Sequence, residues 1–224
     1  MKGNNGIAKV GSLAGIAACA GDIAMTCLMG KQYPGYNQFT DTMSKLGATN
    51  SPVGKVMSFW WIIMSILFII MAWGFRAKFD KNKKRIRWAY WMIILYGLGE
   101  GMGSGIFPAD HISHGVTPSL IIHNAFGGMG IAGIILLPFI LRSQSPFNTS
   151  GLFKLLTRIV SCFGPAMLLM FTISKLQNPP HSFIFIYKGL WQRLLMMNYY
   201  IYLLAIATLM WRDDEVGKRK FLQT

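Results

Sequence analysis

Six apolar stretches alternate along the chain with short polar segments, and each is long enough to cross a hydrocarbon layer of about 30 Å. They fall at about 11–29, 56–75, 88–107, 118–141, 155–175 and 189–211. Each predicts a helix, because a lone span in lipid satisfies its backbone only by bonding to itself. The first is rich in Gly and Ala, with Asp22 as its only charge. The second, Val56 to Phe75, is unbroken and has Trp60, Trp61 and Trp73 near its ends, where indoles favour the interface, so it reads as a lipid-facing anchor. The third has Gly97, Gly101 and Gly105 along one face and Gly99 with Gly103 along a neighbouring one, around Glu100. Small residues at that spacing let helices approach closely. The fourth holds His123 and Asn124 and further glycines. The fifth is the shortest: Ile159 to Ile173 rises only about 22 Å and needs Leu155, Leu156 and a snorkelling Lys175 to reach across. The expected fold is an all-α integral membrane protein, one transmembrane domain over residues 1–224. Its six-helix bundle would have the third and fourth helices at the centre.

Charge orients this bundle. Sixteen of the 22 Lys and Arg lie in residues 1–10, 76–87, 142–158 and 212–224, all on one side if the spans alternate. That side is expected to be cytoplasmic, with both termini on it, in the cell's inner membrane. The chain is 53% hydrophobic and 13% charged, with mean hydropathy +0.40, which is too little polar surface for a soluble domain of this size. The net charge of +14 clusters beside the spans, so anionic headgroups at the cytoplasmic face, rather than nucleic acid, are the expected partners. Cys19, Cys27 and Cys162 fall within spans and read as packing residues. A lipobox-like Ile16-Ala17-Ala18-Cys19 follows an apolar run broken by Lys9, so the first helix is expected to stay uncleaved.

The remaining polar residues collect on the opposite side. By helical rise, Asp22 lies about 10–12 Å below that surface, Glu100 about 10 Å, His123 about 7 Å and Arg193 about 6 Å. Ionisable groups at such depth face the bundle interior, pair, or line a wet cavity. Arg193 can pair with Glu100 or Asp22 to fix packing, or hold a substrate anion through its bidentate fork. Asp110, His111 and His114 stand in the turn before the fourth helix, with His123 nine residues after His114 and His181 in another loop on that side. His111, His114 and His123 could bind zinc that activates water. The same groups could instead serve as metal-free acids and bases, or simply be solvated or capping histidines. Ser44 and Ser113 could act as nucleophiles only beside a base.

Several segments together resemble a known family. They are Ser44-Lys45-Leu46-Gly47 with Pro52, Gly105-Ile106-Phe107-Pro108-Ala109-Asp110, His123-Asn124, and Gly189-Leu190-Trp191-Gln192-Arg193. Their order is similar to the prokaryotic six-helix membrane family catalogued as domain of unknown function 998, itself like the eukaryotic Frag1/DRAM/Sfk1 proteins. The resemblance implies a fold and a topology and assigns no reaction. A distant likeness to alkaline ceramidases, which gather Ser, Asp and His around zinc, lacks their C-terminal His-x-x-x-His here.

Three functions stay open. The first is an enzyme acting at the outer leaflet on a lipid or lipid-linked substrate, with Asp110, His123 and Glu100 as catalytic groups and Arg193, Asp22, Ser44 and Asn124 binding substrate. The second is a binding or transport protein for an anionic amphiphile, in which Asp22 and Glu100 would couple protonation to movement. The third is a structural or partner-binding bundle.

Overall fold

The computed structural model describes residues 2–79, 83–112, 115–176 and 182–212. Helix α1 (Lys2–Gln32) leads through a loop with a 3-10 turn (Met43–Gly47) into α2 (Gly54–Lys78). Next, α3 (Lys84–Tyr96) continues as a π-helical segment (Gly97–Gly103) into the short α4 (Ser104–Ile106). A two-residue ladder, β1 (His111–Ile112) against β2 (Gly115–Val116), precedes α5 (Pro118–Leu141) and α6 (Gly151–Lys175). The short α7 (Phe183–Ile186) and the long α8 (Lys188–Trp211) complete it. Helices α1, α2, α5, α6 and α8 are each long and apolar enough to cross a membrane. The chain is a multi-pass, all-helical membrane protein. The third apolar stretch is helical from Lys84 to Ile106, about 35 Å at α-helical rise, but its middle is wound as a π helix. Glycine at every other position from Gly97 to Gly103 removes the Cβ crowding that would oppose the wider turn.

The helices form a ring. α1 packs on α2, α2 on α3 and its π segment, these on α5, and α8 joins α1 to α6, while α5 and α6 touch only sparsely. Glycines set the close crossings. A Cβ on Gly11 would sit 2.6 Å from the Cα of Gly74, and one on Gly99 would sit 2.5 Å from the nitrogen of Gly130. The two glycine faces read from the third stretch are both in use: Gly97, Gly101 and Gly105 lie against α2, and Gly99 and Gly103 against α5. α8, not α5, is the most enclosed of the five long apolar helices, so the centre is shared rather than held by the third and fourth.

The start of α1 and the end of α8 meet at one end of the ring. Lys9 lies over the Trp211 ring at 5.6 Å, and Lys78 donates to the Arg212 carbonyl at 2.6 Å. Below them Phe75, Phe79, Phe147, Phe153 and Tyr202 pack as tilted rings, which buries Phe147 of the α5–α6 loop.

Two expectations change. α2 is a lipid-facing anchor on one side only: Phe59, Ile66 and Trp73 are exposed, whereas Met57, Trp61, Met64, Phe68 and Met71 are buried against its neighbours and Trp60 points at Asp22. An unbroken apolar run carries no sign of which face meets protein. The fifth stretch is not short, because α6 begins at Gly151, capped by Ser150, and Lys154 and Arg158 are helical positions rather than loop.

Candidate functional site

The opposite end of the ring carries a folded cap made by residues 33–53. Tyr33-Pro34-Gly35-Tyr36 is a tight turn closed by the Tyr36 N–H on the Tyr33 carbonyl, with Gly35 at φ 76°, a conformation few L-residues adopt. The cap is tied down from α8. Arg193 donates to the Asp41 carbonyl at 2.8 Å, to the Gly189 carbonyl at 3.0 Å and to the Tyr36 hydroxyl. The Met43 N–H donates to Gln192 Oε1 at 2.7 Å, and the Leu190 N–H to the Phe39 carbonyl at 2.8 Å. Burial pushes the Tyr36 phenol above its ordinary value against the pull of Arg193. Asp41 is pulled the other way: partial burial would raise it, but the Lys45 ammonium at 2.7 Å and the Asn37 N–H hold it below the usual carboxylate range. The expected pairing of Arg193 with Asp22 or Glu100 is not found. Among the described residues its guanidinium is committed to the cap, because α8 enters beneath it and the cap's turned backbone offers carbonyls closer than either acid.

Three neighbouring spaces with shared lining residues lie under the cap. The largest, about 590 Å³, is lined by Ser44, Asn124, Ser174, Lys175, Phe185 and Lys188. A second, about 230 Å³, opens beside it past Tyr33, Asp41, Lys45 and Lys188. The third is room for about one water, roughly 30 Å³, between Asp22, Ser44, Glu100, Ser104, His123 and Gln192. Ser44 lines all three, so it stands where the vestibule and the deep cavity come nearest in common lining.

Each deep group is placed by a different element. Asp22, on α1, is buried and accepts from Tyr200 Oη at 2.7 Å and Trp60 Nε1 at 3.1 Å. Glu100 sits on the π segment, its Oε1 toward the face that Gly127 leaves bare; among the described residues no hydrogen bond or ion pair holds its carboxyl. His123, one turn into α5, bonds through Nδ1 to the Phe107 carbonyl at 2.9 Å. A carbonyl only accepts, so Nδ1 carries the proton and Nε2 is the basic nitrogen of the neutral ring. Helix α5 starts where it does because Thr117 accepts from the Leu120 N–H and Pro118 needs no N–H partner.

Of the residues singled out in the sequence, Asp22, Glu100, His123 and Ser44 share one cavity, and Asn124 lines the vestibule next to it. Asp110 lines none of the three spaces. Its Oδ1 accepts from the Thr49 N–H at 2.7 Å and its Oδ2 from the Thr49 hydroxyl at 2.6 Å, latching the cap to the turn before α5. Ser113, His114 and His181 lie outside the described residues, as does the side chain of His111, so the His111, His114 and His123 zinc set is not among what the structure describes. Among the described residues no three His, Cys, Asp or Glu stand together as a metal site. Lys175 and Lys188 were not read as site residues. Their signal was present: both are cations on the side that the charge bias leaves poor in them.

The five long apolar helices and the buried polar cavity between them are those of a multi-pass membrane protein. The chain belongs to the family described as "Protein of unknown function (DUF998)", whose model matches residues 16–209. Neither a curated protein nor a solved structure matches it, and the expected likeness to the Frag1/DRAM/Sfk1 proteins is not shown.

Proposed function

We propose that the chain crosses the inner membrane six times with both termini cytoplasmic. On this reading it takes the anionic headgroup of a lipid or lipid-linked molecule into the capped vestibule from the outer leaflet and transfers protons on it through Glu100 and His123. The topology is supported by the meeting of Lys9 with Trp211 at one end of the ring. Termini on one side need an even number of crossings, which makes the glycine-rich rod from Lys84 to Ile106 the sixth. The basic segments then all fall on the terminal side.

The observation that carries the functional reading is the position of Ser44. A headgroup held by Lys175 and Lys188 sits against the residue that also lines the cavity holding His123 and a Glu100 carboxyl without a hydrogen-bond partner among the described residues. Lysine supplies the point charge for phosphate or carboxylate. Asp22, capped by Tyr200 and Trp60, serves as a structural acid beneath the pair. Lipid extraction and mass spectrometry of purified protein test this. Lys175→Gln with Lys188→Gln is expected to lower co-purifying anionic lipid at least tenfold, whereas Glu100→Gln and His123→Ala keep it bound. An unchanged lipid profile in the lysine variant ends the proposal.

A second reading, proton-coupled carriage of the same amphiphile, is favoured by one feature: Glu100 sits on a wound-open helical segment, the kind of discontinuity that transporters use at their sites. It predicts substrate movement across vesicles that is lost in Glu100→Gln, where an enzyme would give chemical conversion without net movement.

A further inference from the structure

A second cavity lies at the terminal end of the ring, outside the capped site. It measures about 610 Å³ and opens in the sparse seam between α5 and α6. Three cations line it: Arg142 where α5 ends, and Lys154 and Arg158 one turn apart on α6. The hydroxyls of Ser143 and Ser161 join them, and none of the lining residues is acidic. Phe147, locked in the aromatic cluster, forms an apolar wall, and Phe139 carries that wall up the seam toward the middle of the helices.

The placement of the charges calls for a partner. α6 is the least enclosed of the five long apolar helices, and Arg158 stands exposed about 10 Å along it from Gly151. A cation on that surface and at that depth is unfavourable unless it snorkels or meets an anion. Among the described residues Arg142, Lys154 and Arg158 have no ion-pair partner. The α5–α6 turn is held by Arg85 of α3, which donates to the Ser143 hydroxyl, so the cavity mouth is braced from a third helix. A phosphodiester between glycerol and a small polar alcohol matches these features: its oxygens suit two guanidiniums and two hydroxyls, and the acyl chains continue along Phe139 into the open seam.

We infer that this cavity is a binding site for the phosphate headgroup of an anionic phospholipid from the leaflet at the terminal end of the bundle. It is independent of the capped vestibule and does not depend on the reaction proposed there.

Native mass spectrometry of the full chain in detergent tests it, using a Lys175→Gln, Lys188→Gln background so that the vestibule does not contribute. Titration with phosphatidylglycerol is expected to show one retained lipid that phosphatidylcholine at equal concentration does not displace. Adding Arg142→Gln and Arg158→Gln is expected to weaken it at least tenfold. Ser161→Phe, which fills the cavity without touching charge, is expected to weaken it similarly. Equal retention of the two lipids, or affinity unchanged in both sets of variants, overturns the site. Displacement of the bound lipid by soluble sn-glycerol 3-phosphate at comparable concentration overturns the assignment to lipid.

Discussion

Tyr200 on α8 donates its hydroxyl to the Asp22 carboxylate on α1 at 2.7 Å, in the interior of the ring and across 178 residues of sequence. With Trp60 on the other oxygen, three helices converge on one acid. Tyr200→Phe deletes the shorter donor without changing volume and is expected to destabilise the fold by about 1–3 kcal/mol, the range for a hydrogen bond to an ionisable group. Thermal unfolding in detergent reads this, and a melting temperature equal to that of the parent would show that the contact contributes nothing.

The glycines separate into those that a methyl group would break and those that it would not. A Cβ at Gly99 meets three backbone atoms of α5 within 2.6 Å, whereas one at Gly128 meets nothing within 4 Å. Gly99→Ala is therefore expected to cost about 1–3 kcal/mol by overpacking, and Gly128→Ala to be neutral or to add up to about 1 kcal/mol of helix propensity. Expression and monodispersity of the two variants should diverge; similar profiles would contradict the close crossing.

Asp41 titrates below the ordinary carboxylate value of about 3.9 because Lys45 and the Asn37 N–H outweigh its partial burial. The unfolded chain then binds a proton that the folded one does not, over the interval between the two values. The stabilisation is complete above about pH 4 and disappears as pH falls through the folded value. For a partly exposed pair it is worth about 0.2–1 kcal/mol. Asp41→Asn should cut the loss of stability between pH 6 and pH 3 by that amount, and an identical loss in both proteins would remove the pair from the account.

Asp110 grips the cap through both carboxylate oxygens, and Thr49 supplies both donors. If its role is that of a latch, Thr49→Val should reproduce much of the effect of Asp110→Ala, with easier proteolysis of residues 33–53 in each. Loss of function in Asp110→Ala alone, with the cap equally resistant in both variants, would mark Asp110 as a chemical participant instead.

The helices were legible because apolar length is a local property, and the two glycine faces were legible because their period is. The cavity was legible in part: depth along separate helices put Asp22, Glu100 and His123 at one level, and they line one space. What sequence could not carry was competition between partners. Arg193 looked like the counter-ion of buried acids, yet the cap brings the Asp41 carbonyl and the Tyr36 hydroxyl to it, and no spacing in the chain foretells a bond across 152 residues. The reach of α6 was hidden because Lys154 and Arg158 look like the end of a span, although a helix surface beside a cavity accommodates them. The role of α2 was hidden because apolarity does not distinguish lipid from protein as its neighbour.

The bond from the Ser12 hydroxyl to the Ala207 carbonyl and the contact of Asp22 with Tyr200 both join the first long helix to the last. During synthesis α1 enters the bilayer while α8 has yet to be translated. The nascent chain must shelter the Asp22 carboxyl with the α2 indoles alone, without Tyr200, until the ribosome has almost finished. The contacts that join α1 to α8 can therefore form only at the end of synthesis.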